Sequence, residues 1–322
     1  MPHAVILDGY TLNPGDLDWT PIRSLAESLV VHDRTLDRND ILPRIGEREL
    51  ALTNKTPLDR STLEKAPRLK YVGILATGSD NVDLSAAREL GIAVTNVPRY
   101  GTMAVAQYAI GLLLEIAGHI GLHSEAIRLG RWRSAPDWCF WDRPLMELDG
   151  KVMGIVGYGA IGRAVAGIAR ALGMRVIAFN GDRPPKTEEA AKNDPLVNFT
   201  ELLSASDVIS LHAPLKPETR GIINRASISG MKDGVVIINT ARGGLIVEED
   251  LNDALKSGKV YAAGLDVMAA EPPDDANPLV SDPNCVITPH VAWAPKETRA
   301  RLIAEAAENL RCFLEGRPRN LR

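Results

Sequence analysis

Cysteine is scarce: Cys139, Cys285 and Cys312 lie far apart and form no C-x-x-C pair. An odd, scattered set argues against a disulfide framework and a thiolate metal site, and fits a reducing compartment. Long apolar runs are missing too. The longest, 109-AIGLLLEIAG-118, contains Glu115 and is too short to span a bilayer. No basic leader precedes the first apolar run, 4-AVIL-7, so no signal peptide is expected and the expected location is cytoplasmic. Positive charge is not in excess. A net charge of −4 gives no reason to expect nucleic acid or a membrane as partner. His119 and His123 stand at i, i+4, a spacing that metals use. No H-E-x-x-H surrounds them and no third ligand is evident, so no metal is expected. Repeats and low-complexity tracts are also absent.

What remains is ordinary globular material, 45% apolar and 24% charged, and 322 residues suggest two domains. Short β-rich runs alternate with helical ones: residues 4–8, 49–53, 70–75, 92–95, 151–156, 174–179, 207–211, 235–239, 260–267 and 285–288. Mostly apolar runs of this length read as parallel strands buried on both faces, and the alternation implies α/β architecture. Two longer helical stretches stand out. Residues 102–129 are largely small or apolar, and 295–315 are framed by Pro295 and Gly316. An aromatic-rich loop, 131-RWRSAPDWCFWDRPL-145, follows the first of them.

The segment 154-GIVGYGAIGR-163 follows a strand and opens a helix. Gly157 permits a tight turn, Gly159 lets a pyrophosphate approach the backbone, and Gly162 lets the helix pack closely on the strand. The helix N-terminus then offers N–H groups to phosphate. About 20 residues on, an acid would hydrogen-bond the adenosine ribose. Asn180 holds that place, with Asp182 and Arg183 after it. Asp182 could reach the ribose hydroxyls and repel a 2′-phosphate, which favours NAD. Asn180 and Arg183 could instead accept that phosphate, which keeps NADP open. Further strand ends lead into 239-NTARGGL-245, 265-LDVMAAEPP-273 and 288-TPHVAWA-294. Ligands of open α/β sheets collect beyond the carboxyl ends of strands, so Arg242, Asp266, Glu271 and His290 are candidates for one crevice.

With GYGAIG, HAPLKPET, NTARGG, LDVMAAEPP and TPHVAWA in order, the chain resembles the D-2-hydroxyacid dehydrogenases over essentially its whole length. The resemblance implies two doubly wound parallel-sheet domains. A Rossmann nucleotide domain, 99–294, is inserted into a flavodoxin-like substrate domain, 1–98 and 295–322, with the active site in the cleft between them. It implies Arg242, Glu271 and His290 as the catalytic trio. Cofactor contacts would come from Gly157, Gly159, Ala160, Ile161 and Gly162, from Asn180 or Asp182, and from His212, Ala213 and Pro214 beside the adenosine. Thr102, Thr240 and Ala241 would line the nicotinamide end, and Asp266 would hold its carboxamide. Backbone amides of Thr77 and Gly78, within 76-ATGSDNVD-83, would bind the substrate carboxylate.

These residue types suit the reaction. Oxidising a 2-hydroxy acid removes the hydroxyl proton while hydride leaves for the nicotinamide. A histidine titrates near neutrality and can move that proton, and a carboxylate on its other ring nitrogen would orient it. An arginine can fork onto carboxylate and carbonyl oxygens. The stretch 137–151 resembles the glycerate dehydrogenases (hydroxypyruvate reductases), so the expected substrate is glycerate/hydroxypyruvate or glyoxylate. A short phosphoglycerate dehydrogenase and a non-catalytic NAD-sensing binding protein are the alternatives. Ala104, Ala106, Ala109, Gly111, Leu113 and Ala117 place small or apolar residues around much of the long helix, which suggests a homodimer formed through that helix and the loop to 145. Trp138, Phe140 and Trp141 read as packing residues, with contact to a neighbouring subunit's active site as the other reading.

Overall fold

The computed structural model describes residues 1–181 and 195–322. The chain divides into two compact units, Met1–Gly101 with Trp293–Arg322, and Thr102–Ala292.

The first unit is built on five parallel strands, β1 His3–Ile6, β2 Ser28–Val31, β3 Leu50–Thr53, β4 Tyr71–Ile74 and β5 Ala93–Thr95, in the order β2-β1-β3-β4-β5. This is the flavodoxin-like order. Every residue of β3 and β4 is buried. Alternate residues serve opposite faces, as the two-residue strand period requires. Ala4, Ile6, Leu50, Leu52 and Tyr71 join a core with Ile22, Leu302, Ile303, Ala306 and Leu310. Val5, Leu7, Ala51 and Val72 join another with Ile41, Ile45, Leu63 and Ala86. The helix Lys296–Leu314 thus closes a face of a sheet made by the first hundred residues. Buried Arg299 fixes it there, forking onto Asp16 at 2.8 and 2.7 Å and donating to the Leu12 carbonyl. The sequence reading missed β2, whose run 28-SLVV-31 is short and only partly buried.

The second unit carries β6 Val152–Val156, β7 Arg175–Phe179, β8 Val208–Leu211, β9 Val235–Asn239, β10 Val260–Leu265 and β11 Cys285–Ile287, all parallel, in the order β11-β10-β9-β8-β6-β7. Beyond β7 an isolated parallel bridge joins Ala178 to Leu196, and Ala178 N–H donates to the Pro195 carbonyl. With this rudimentary strand counted third, the edge reads 3-2-1-4, the Rossmann order. Chain direction across the sheet reverses between β6 and β8. Gly154 shows how closely this sheet is covered, because a Cβ there would lie 2.1 Å from Ser206 Oγ and 2.9 Å from Leu202.

The stretch 102–129 is not one helix. Thr102–Gly118 and Ile120–Arg128 are bent by 58° at His119, whose φ is +47°. Long-range bonds stabilise this break. Met146 N–H takes the Ala117 carbonyl, His119 Nε2 meets the Tyr261 hydroxyl at 3.3 Å, and the Glu115 carboxylate accepts Gly121 N–H in the first turn of the second helix. His119 caps the second helix, where its carbonyl accepts His123 N–H and is also faced by His123 Nδ1 at 2.8 Å. The small residues are also used differently from expectation. Ala104, Ala106, Ala109, Leu113 and Ala117 are buried, and all but Ala104 pack in the core that holds Val165, Ala166 and Ala169; only Gly111 of that set is exposed. Exposed apolar side chains cluster later, at Ile120, Leu122, Ile127, Leu129, Trp132, Trp138, Trp141 and Leu145. Among the described residues no single helix is long and apolar enough to cross a membrane.

A Gly154→Ala substitution should overpack the β6–Ser206 contact and lower stability by about 2 kcal/mol, read as a reduced urea midpoint at unchanged slope.

Candidate active site

The nucleotide turn is built by close backbone approach. Gly157 has φ +96°, and a Cβ on it would lie 2.5 Å from Ala213 N. A Cβ on Gly162 would lie 2.3 Å from the Gly157 carbonyl oxygen. Gly159 differs: nothing comes within 4 Å of where its Cβ would be, so the turn opens there. Gly159 caps the helix Ala160–Ala171 with no side-chain bond, which leaves first-turn N–H groups, those of Ala160 and Ile161 included, for an anion. Asn180, at the end of β7, accepts Tyr158 N–H at 3.0 Å, so its carbonyl end is tied to the turn. Asp182 and Arg183 lie outside the described residues.

His212, Ala213 and Pro214 leave β8 against Gly157. The His212 ring meets Ser210 Oγ at 2.8 Å, and burial pushes its pKa down to about 4, so the ring is neutral at pH 7. Ala213 is buried and Pro214 exposed.

Beyond β9, fully buried Asn239 clamps the next turn. Its amide donates to the Arg242 carbonyl at 2.9 Å and its oxygen accepts Ala241 N–H at 3.0 Å. The Thr240 hydroxyl is buried without a hydrogen-bond partner, an orphan that suits a bound polar group. Arg242 is half-buried, and its guanidinium donates to the Ala241 carbonyl. A Cβ on Gly243 would collide with Met268 at 1.9 Å, so the Arg242 turn lies directly on the chain leaving β10.

Asp266 follows β10 and is 1% exposed. Burial raises its pKa, against the pull of Ala292 N–H at 2.9 Å, the Thr288 hydroxyl at 2.7 Å and Val291 N–H at 2.9 Å. These donors all come from the segment that carries His290, a non-glycine residue at φ +54°. His290 Nδ1 lies 2.7 Å from Glu271 Oε2, and Glu271 Oε1 accepts Met268 N–H at 3.2 Å. Both side chains keep some solvent access, 29% and 37%. Arg242, Asp266, Glu271 and His290 therefore follow the carboxyl ends of the neighbouring strands β9, β10 and β11, with Glu271 and His290 in contact. The sequence reading missed Asn239, whose signal lay only in its place at a strand end.

Thr77 and Gly78 follow β4 in the first unit, where Thr77 donates its hydroxyl to the Val97 carbonyl and its own carbonyl accepts the Asn96 amide. Thr102 begins the helix Thr102–Gly118. Phe140 lies near His123 and under Arg131, but Trp138 and Trp141 are 86% and 64% exposed, so the packing reading fails for both tryptophans within this chain. Among the described residues no group of three His, Cys, Asp or Glu could hold a metal.

The open space at Gly159, the uncapped helix and the orphan Thr240 hydroxyl fit a dinucleotide. Residues 110–292 match the family model for the NAD-binding domain of D-isomer-specific 2-hydroxyacid dehydrogenases. The chain is 54% identical over 319 residues to the hydroxypyruvate reductase of Blautia hydrogenotrophica, covering 98% of each. It is 38% identical to the glycerate dehydrogenase of Methylorubrum extorquens, covering 90% of each. Among solved structures, a glyoxylate reductase from Paecilomyes thermophila superposes with a TM-score of 0.84 at 32% identity, over 99% of this chain and 98% of that one. The chain belongs to the D-isomer-specific 2-hydroxyacid dehydrogenase family. It is an oxidoreductase that acts on the CH–OH group of 2-hydroxy acids with NAD or NADP.

The depressed His212 pKa links stability to pH. Unfolded, the ring takes a proton near pH 6.5; folded, only near 4. The unfolded state therefore binds more protons in that window, and this stability is present above pH 6.5 and lost as pH falls towards 4. From pH 7.5 to 5.0 the wild type should lose about 2 kcal/mol more than His212→Gln, measured by urea unfolding.

Proposed function

We propose that this enzyme reduces hydroxypyruvate to D-glycerate, takes glyoxylate as a second substrate, and catalyses the reverse oxidation. The observation that carries the reading is the 2.7 Å contact between Glu271 and His290, in a chain with a full-length relative named hydroxypyruvate reductase at 54% identity. The bound nicotinamide supplies or accepts the hydride at C2. With Nδ1 held by Glu271, His290 delivers a proton from Nε2 to the carbonyl oxygen as C2 is reduced, and takes it back in oxidation. Glu271 orients the ring and balances the charge of its protonated form. Arg242 binds the substrate carboxylate and the carbonyl oxygen through its planar fork, so it works in both ground and transition states. The amides of Thr77 and Gly78 are our assignment for further carboxylate contacts.

The cofactor is held in this reading by the Gly157–Gly162 turn, Thr240, Ala241 and the 212–214 segment. NAD is our preferred form, on the sequence argument at Asp182. We also assign a homodimer in a reducing, cytoplasmic setting. The concentration of exposed apolar side chains between Ile120 and Leu145 supports the dimer, because a partner that covered them would remove that apolar surface from water. Three free cysteines support the setting.

Initial rates with hydroxypyruvate, glyoxylate and 3-phosphohydroxypyruvate, each with NADH and NADPH, test the substrate reading. Highest kcat/KM with hydroxypyruvate is expected. Preference for the phosphorylated acid would replace the reading, and no turnover of any would leave a binding protein. Arg242→Lys keeps the charge but loses the fork. Its kcat/KM should fall by about 100-fold, through both KM and kcat, while NADH affinity read by fluorescence stays level. Light scattering at micromolar concentration should give twice the chain mass, and a monomer would refute the dimer.

A further inference from the structure

The contact between Glu271 and His290 depends on how the chain leaves β10, and one side chain outside the catalytic set holds that segment at two points. Glu248 opens the helix Glu248–Lys256, just after the Arg242 turn. Its Oε1 accepts Ala269 N–H at 2.7 Å, and its Oε2 accepts the Asn277 side-chain amide at 2.6 Å. Asn277 is itself fixed, since its N–H donates to the Asp274 carbonyl and its side-chain oxygen accepts Leu279 N–H. Glu248 therefore ties both limbs of the segment whose middle carries Glu271.

The spacing makes the tie specific. Successive amides point to two carboxylates: Met268 N–H to Glu271 and Ala269 N–H to Glu248. The Met268–Ala269 peptide is also the one against which Gly243 packs with no room for a Cβ. A shift of that peptide would move the Met268 donor away from Glu271 Oε1 and so turn Oε2 relative to His290 Nδ1. Bonds from amides to a carboxylate are the stronger kind of hydrogen bond, and misplacement of a reacting group by about 1 Å can lower a rate by ~100-fold. We propose that Glu248 is a positioning residue for the Glu271–His290 pair, acting through the Met268–Ala269 peptide. For its kinetic arm this rests on the proton-transfer role given to that pair above.

The test is a double-mutant cycle with a readout that needs no substrate. Glu248→Ala should lower reductive kcat at least tenfold, with KM and NADH affinity changed less than threefold. Glu248→Gln keeps an acceptor for Ala269 N–H and should restore most of the rate. In a Glu271→Ala background, Glu248→Ala should lower kcat by less than twofold, because the pair it positions is already gone. Independently, proton NMR of the unliganded protein should show a downfield imidazole N–H signal, assigned by its loss in His290→Ala. That signal should move or broaden in Glu248→Ala and return in Glu248→Gln. A full tenfold loss in the Glu271→Ala background, or an unchanged signal in Glu248→Ala, would overturn the proposal. If the wild type turns over no 2-keto acid, the functional reading fails while the NMR arm still decides this one.

Discussion

A carboxyl group with 1% of its residue exposed must find donors nearby, and Asp266 finds them in the segment that follows β11. Thr288, Val291 and Ala292 can all reach it only if the chain folds back around residue 290, which it does with His290 in a left-handed conformation. His290 is thus placed by a polar group's demand for partners in an apolar surrounding. The Glu271 contact follows from that placement. The Arg242 turn is set in the same manner by buried Asn239, and at Gly243 it lies against the Met268–Ala269 peptide of the chain leaving β10.

The strongest parts of the sequence reading are those where chemistry is local. Strands β3, β4, β6, β8 and β9 are buried at every position, so each had to be a continuous apolar or small-residue run. Gly157 and Gly162 are legible because backbone comes within 2.5 Å of where a side chain would begin. The helix Lys296–Leu314 follows its proline and glycine punctuation.

What could not be read depends on partners distant in the chain. His119 breaks a helix that propensity would continue, because Tyr261 and Met146 bond to its surroundings from afar. Glu248 looks like one acid in a polar first turn until Ala269 and Asn277 are seen against it. The small residues spread around Thr102–Gly118 suggested a subunit seam, but the cover of Val165, Ala166 and Ala169 takes up Ala106, Ala109 and Ala117 within the chain. Composition does not reveal which neighbour covers a small residue.

The first unit has a consequence for the order of events during synthesis. Its sheet is complete by Thr95, yet Leu302, Ile303, Ala306 and Leu310, which cover one of its faces, come from the helix Lys296–Leu314. At roughly 5–20 residues per second, that face stays without its cover for about 10–40 s on the ribosome. All of Thr102–Ala292 emerges in the interval and contains its own core. The order in which the two cores can be completed is then opposite to the order of the strands. The later unit can close first, while the earlier sheet, apolar and half-covered, is the surface a chaperone would meet.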